Sequence, residues 1–118
     1  MIARLWHGRT PREKADSYVE YIKKTGVRDQ TSIEGNRGDY VFHRIEGDVA
    51  HFIVLSLWDS WDAVRRFAGE DPEKAVYYPE DGQYLLEMPP DIEHYEVSVS
   101  PKGSPANKPP TFSLVRWE

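Results

Sequence analysis

The sequence predicts one α+β domain whose elements run strand, helix, strand, strand, helix, strand. Three observations carry this expectation. A length of 118 residues leaves room for a single domain with one modest core. Two segments with helical periodicity separate segments with strand alternation. A well-formed hairpin signal, Gly47-Asp48, sits between the two middle strands. The order is the βαββαβ pattern of a ferredoxin-like fold, an antiparallel sheet with both helices on one face.

Residues 2 to 8 alternate as a first strand, with Ile2, Arg4 and Trp6 on one face and Ala3, Leu5 and His7 on the other. Thr10-Pro11-Arg12-Glu13 combines a Thr cap, a Pro at the first helical position and a Glu placed for a capping box. Ala15, Tyr18, Val19 and Ile22 supply the apolar stripe of the helix that follows, and Gly26 is its expected stop. Residues 27 to 38 are polar and read as a loop. Residues 40 to 46 and 49 to 58 are the hairpin strands, because Gly at the turn supplies the positive φ such turns need. That turn sets Glu46 opposite Val49 and His43 opposite Phe52, and it divides the side chains. His43, Phe52, Val54, Ser56 and Trp58 share one face; Tyr40, Phe42, Arg44, His51, Ile53, Leu55 and Leu57 share the other. Both faces are substantially apolar, so helices should cover one and a second copy of the chain the other, giving a homodimer and a dimeric α/β barrel.

Asp59-Ser60 caps a second helix with Trp61, Val64, Phe67 and Ala68 directed inward, ended by Gly69. Asp71-Pro72-Glu73-Lys74 starts a short helical turn toward Tyr77 and Tyr78. Residues 80 to 91 are irregular, and residues 92 to 99 form the last strand. The domain therefore spans residues 1 to 99. A Pro-rich extension occupies residues 100 to 118, with an alternating stretch, 111 to 117, as an added strand.

The formal net charge is -5 and the pI near 5.4, which argues against a nucleic-acid partner because phosphate binding needs clustered Lys and Arg. There is no cysteine, so disulfides, thiolate nucleophiles and Cys-based metal sites are excluded. No apolar stretch approaches membrane length and the amino-terminal residues do not resemble a signal peptide, so a cytoplasmic protein without membrane association is expected. Four Trp, seven Tyr and four Phe are many for one small core, and a pocket or subunit interface is a natural destination for some of them.

Met1-Ile2-Ala3-Arg4-Leu5-Trp6-His7, the passage Leu55-Ser56-Leu57-Trp58-Asp59-Ser60-Trp61-Asp62-Ala63-Val64-Arg65-Arg66-Phe67 and the closing Glu93-His94-Tyr95-Glu96-Val97 resemble the antibiotic biosynthesis monooxygenase superfamily of dimeric α/β barrels. The resemblance covers roughly residues 1 to 99. It implies one of several activities, since that superfamily includes cofactor-independent oxygenases of aromatic polyketides or quinols, haem-degrading enzymes and proteins without assigned activity. His7 stands where the oxygenases often carry a polar residue, commonly Asn, and Phe67 is nearest to their aromatic wall. The stretch 73 to 79, near which haem-degrading relatives place an axial histidine, contains none.

Of the four histidines, His7 and His94 are expected at the same end of the sheet, where they could face one pocket and pass a proton near neutral pH. His51 is expected at the opposite end and His43 on an edge strand. The plainer reading, and the favoured one, is that each is a hydrogen-bonded structural histidine. Two His with Glu87 or Glu96 could form a metal-binding triad, but the spacing gives this little support. Trp6, Tyr18, Trp61, Phe67 and Tyr77 are candidates to line a cavity for a flat aromatic molecule, with the Tyr78 hydroxyl positioning a phenolate or carbonyl. Tyr18 and Phe67 also fit a plain core stripe. Arg4 and Arg44 are expected to form ion pairs across the sheet or dimer. The leading expectation is thus an oxygenase-like enzyme with no tightly bound cofactor, acting on a small aromatic or quinol-type molecule. The alternative is a non-catalytic ligand-binding barrel of the same architecture, or a structural protein if the tail plugs the cavity.

Overall fold

Strand β1 (Ile2–Pro11) is the second of four strands across the sheet, antiparallel to β3 (Val49–Trp58) on one side and β4 (Glu93–Glu96) on the other. Strand β2 (Asn36–Glu46) pairs with β3 at the far edge, giving the order β2-β3-β1-β4 of a ferredoxin-like fold. The computed structural model describes residues 1–101, so the alternating stretch 111 to 117 lies outside the described residues. The hairpin has the expected register, with Glu46 opposite Val49, His43 opposite Phe52, and Gly47 at φ 61°.

Helices α1 (Ala15–Lys24), α2 (Gly26–Thr31) and α3 (Trp61–Ala68) connect these strands. Helix α1 begins later than its capping signals. Thr10 is fully buried in the sheet opposite Ala50, and its hydroxyl donates to the Pro11 carbonyl at 2.9 Å, so pairing with β3 takes the residues that would have capped the helix. A short 3-10 turn, Arg12–Lys14, intervenes. Gly26 is not a stop: the break falls at Thr25, whose hydroxyl donates to the Tyr21 carbonyl at 3.0 Å, and Gly26 opens α2. The polar stretch read as a loop thus contains a helix and the start of β2. Tertiary contact overrides weak periodicity there, since the Tyr78 hydroxyl donates to Asp29 of α2 at 2.6 Å.

Ser60 caps α3 as expected, its hydroxyl accepting from the Ala63 N–H at 3.2 Å, while Asp59 pairs with Arg37. The buried face of α3 is Ala63 and Val64; Trp61, expected to point inward, is 39% exposed at the helix start and packs beside the His94 ring. The expected helical turn at residues 71 to 74 is a single turn that then bridges Lys74 to Asp91. Its Pro72 and Lys74 carbonyls accept from the Arg4 guanidinium, so they are unavailable to continue a helix. Strand β4 is shorter than expected, and at its start the Ile92 N–H donates to the Glu73 carbonyl instead of the sheet.

Alternation along the sheet sorts the core. Phe52, Ala50 and Leu85 pack with Tyr18 and Ile22 of α1, and Trp58 and Ile2 pack with Ala63 and Val64 of α3. The opposite face carries Tyr40 and Phe42, 42% and 50% exposed, whose rings stack at 6.1 Å. No helix among the described residues is long and apolar enough to cross a membrane.

Phe52 is fully buried and meets Tyr18 edge-on at 4.9 Å, so Phe52→Ala leaves a cavity between sheet and α1. Urea denaturation should show a loss of about 3–5 kcal/mol.

Candidate functional site

Between the sheet and α1, α2 and the segment 76 to 81 lies a partly open cavity of about 70 Å³. Its floor is the helix-side row of β1, Arg4 and Trp6, beside Val54 and Ser56 of β3. The Trp6 indole folds back over Gly8, where a Cβ would meet the ring at 2.2 Å, so this placement requires glycine two residues on. Tyr18 of α1 and Gln30 of α2 form one wall; Tyr77, Tyr78 and Asp81 form another.

The hydroxyls on these walls differ in availability. Trp6 Nε1 donates to the Tyr77 oxygen at 3.0 Å, and Tyr77 donates onward to the Pro89 carbonyl at 2.5 Å. Tyr78 donates to Asp29. Tyr18 lines the cavity at 3% exposure with no hydrogen-bond partner for its hydroxyl among the described residues. The hydroxyl free to meet a ligand is therefore that of Tyr18, not of Tyr78.

Asp81 was not singled out in the sequence. It is 5% exposed, and one carboxylate oxygen accepts from the Tyr78 N–H at 2.5 Å. Burial pushes its pKa above the usual carboxylate value, partly offset by the Tyr78 N–H and by Tyr21. The Tyr21 hydroxyl lies near this carboxylate, buried but outside good hydrogen-bond geometry. Burial raises the Tyr18, Tyr77 and Tyr78 hydroxyls as well; the Asp81 charge adds to this at Tyr18, Asp29 and then Asp81 add to it at Tyr78, and the Trp6 N–H partly offsets it at Tyr77. A carboxylate made more basic by burial, beside a free hydroxyl in a cavity, suits proton transfer.

At the other end of the floor, Arg4 is 3% exposed. Nη1 donates to the Pro72 carbonyl at 2.5 Å and to His94 Nε2 at 3.1 Å, and Nη2 donates to the Lys74 carbonyl at 3.2 Å. Accepting from Arg4 makes His94 a neutral ring with its proton on Nδ1. Burial, reinforced by the Arg4 charge, holds the His94 pKa down to about 4, and burial alone lowers Arg4 to about 10. The ion pair expected of Arg4 does not form: it has no carboxylate partner among the described residues.

The expected His7 and His94 pair does not form. Their side chains project from opposite faces, since His94 pairs with Arg4 on the helix side while His7 lies on the other row of β1. His7 is exposed and stacks on His51 at 5.6 Å, with Nε2 3.4 Å from His51 Nδ1. His51 thus lies beside His7 rather than at the opposite end, because antiparallel pairing sets it across from Arg9. His43 stacks on Phe52 of the core, on the edge strand as expected. Of the expected cavity residues, Trp6, Tyr18, Phe67, Tyr77 and Tyr78 line it, and Trp61 does not. Glu87 is engaged by Arg9, which holds its pKa below the usual range.

No family model matches this sequence, and no curated protein does. By structure the chain is similar to a putative antibiotic biosynthesis monooxygenase from Bacillus cereus, with 14% sequence identity and a TM-score of 0.59 over 84% of this chain and 94% of that one. It is also similar to Rv0793 from Mycobacterium tuberculosis, with 15% identity and a TM-score of 0.56 over 85% and 98% of the two chains. The likeness is one of fold, and it agrees with the architecture of the superfamily that the sequence elements resemble.

His94 should stay neutral well below the pH at which an ordinary imidazole, with a pKa of about 6.5, takes up its proton. A nitrogen-15 NMR titration should place its midpoint near 4. The native pKa lies below the unfolded one, so the unfolded chain gains the proton first. Stability is therefore full above about 6.5 and falls as the pH drops toward 4, and His94→Gln should flatten that slope.

Proposed function

We propose that this chain is a cytoplasmic oxygenase-type enzyme that works without a tightly bound cofactor and oxidises a small phenol- or quinol-type molecule in the cavity between sheet and helices. The observation that carries the reading is the buried Asp81 carboxylate facing the same cavity as the free Tyr18 hydroxyl and the Trp6 ring. Asp81 takes over the role that the sequence assigned to histidines. It removes the proton of a ring hydroxyl, and the Tyr18 hydroxyl donates to the oxygen where negative charge gathers. The phenolate, with carbanion character at the adjacent ring carbon, transfers an electron to dioxygen, and the radical pair combines at that carbon to a peroxide that Asp81 reprotonates. Loss of water then leaves a carbonyl at that carbon, so a hydroquinone becomes a hydroxyquinone: one oxygen atom enters the product and the other departs as water with two of the substrate's hydrogens. The name of the Bacillus cereus protein is consistent with this chemistry.

Tyr77 and Tyr78 are positioning residues here. Tyr77 links Trp6 to Pro89, and Tyr78 ties the Asp81 segment to α2 through Asp29. The cavity, about 70 Å³, is smaller than the ~150 Å³ that holds a benzene ring. A single ring would therefore be held partly in the open mouth, and a polycyclic substrate would not fit. The same cavity suits a second reading, a non-catalytic barrel that binds a small ligand. Oxygen-electrode assays with monocyclic hydroquinones separate the two. Uptake by the natural chain, lowered at least ~100-fold in Asp81→Asn, is the expected result; absence of uptake while ligand still binds would leave the binding role.

The chain is further proposed to be a homodimer packed through the open sheet face, where Tyr40, Phe42, Ile53, Leu55 and Leu57 form an apolar row. A charge placed in that row, Leu55→Glu, should shift the mass in sedimentation equilibrium from dimer to monomer while the near-UV dichroism of the core stays unchanged.

A further inference from the structure

We infer that the cavity binds an anionic substrate, a small hydroxy-aromatic carboxylate whose carboxylate is received by the Arg4 guanidinium and whose hydroxyl end points toward Asp81. This rests on the reading of the cavity as the reaction site and names the class of molecule it takes.

A guanidinium removed from water is normally found with a carboxylate or phosphate, because isolated burial of a charge is strongly unfavourable. Arg4 is 3% exposed, and its polar contacts among the described residues are two backbone carbonyls and the neutral His94 ring. Its face lies 5.8 Å from the centre of the Phe67 ring, a weak supplement that leaves the charge uncompensated. Those contacts use three of its five N–H groups and fix the plane of the group, so the Nε N–H and one Nη2 N–H are left without a partner among the described residues, on a side chain that lines the cavity. The same geometry excludes a cationic ligand at this end.

The opposite end has the complementary character. Asp81 and the free Tyr18 hydroxyl offer an acceptor and a donor to a ligand hydroxyl. Between the ends stands Trp6, the next residue but one from Arg4 on the same face of β1, about 7 Å along the strand. Trp6, flanked by Tyr18 and Tyr77 at 6.4 Å each, provides the surface on which a ring would lie. Asp81 and Arg4 line the same cavity without pairing. The cavity is thus polarised, with a cation at one end and a base at the other, and the molecule that satisfies both is an acid with a distal hydroxyl.

Calorimetric titration of the natural full-length chain under argon, with 4-hydroxybenzoate against its neutral isostere 4-hydroxybenzamide, tests this without requiring turnover. The acid should bind at least tenfold more tightly, and the preference should survive an increase in salt because the pair is buried. Arg4→Gln should abolish the preference and Arg4→Lys should keep part of it. Arg4 also holds the Pro72 and Lys74 carbonyls, so if Arg4→Gln does not fold, the acid-to-amide ratio of the natural chain decides alone. Equal binding of acid and amide, or binding of neither at millimolar concentration, overturns the inference. The oxygenase reading fails separately: tight acid binding with no oxygen uptake removes that reaction and leaves the anion site, whereas uptake driven by neutral quinols with no acid preference does the reverse.

Discussion

The structure depends on how strand β1 holds the long irregular segment between α3 and β4. That segment has few regular hydrogen bonds of its own, and it is fixed by side chains projecting from one strand. Arg4 takes the Pro72 and Lys74 carbonyls, Trp6 reaches Tyr77, and Arg9 pairs with Glu87 while its carbonyl accepts from the Leu86 N–H. Lys14, just past the strand, adds a bond to the Gln83 carbonyl at 2.6 Å. The exposed Arg9–Glu87 pair contributes little energetically, but the contacts of the buried Arg4 and the part-buried Trp6 cannot be exchanged for water without cost. They carry Tyr77, Tyr78 and Asp81 over the sheet and so create the cavity.

Alternation along the sheet assigns the two faces different tasks. The helix-side row carries Arg4 and Trp6 into a desolvated layer, where a charge and a carboxylate have altered proton affinity. The opposite row, with Leu5 and Leu55 among exposed aromatic rings, is apolar without a cover among the described residues. One strand thereby serves both the cavity and the face proposed to meet a second copy.

Much of this was legible in the residues. The Gly47-Asp48 turn set the hairpin register, that register sorted both sheet faces, and Ser60 announced α3. These features depend on local chemistry. What escaped depends on distant partners. Thr10 and Pro11 carry helix-start chemistry but are claimed by β3, and α2 forms in a polar stretch whose Asp29 meets Tyr78 from far along the chain. The cavity was legible as an aromatic one, and Trp6, Tyr18 and Tyr77 do line it. The histidines misled because position along a strand gives the end of the sheet, whereas parity gives the face, and His7 and Arg4 differ in parity. Asp81 gave no local signal separating it from Glu80 beside it, which is exposed. Its burial follows from the chain turning inward behind Tyr78.

The central claim is that one cavity holds a cationic end at Arg4 and a basic end at Asp81. A crystal structure of the full-length chain soaked with 4-hydroxybenzoate tests it most directly. The account predicts the carboxylate on the Arg4 guanidinium, the ring against Trp6 and the hydroxyl within hydrogen-bond distance of Asp81 or Tyr18. A ligand bound in the reverse sense, or outside the cavity with Arg4 still held only by carbonyls and His94, would contradict it.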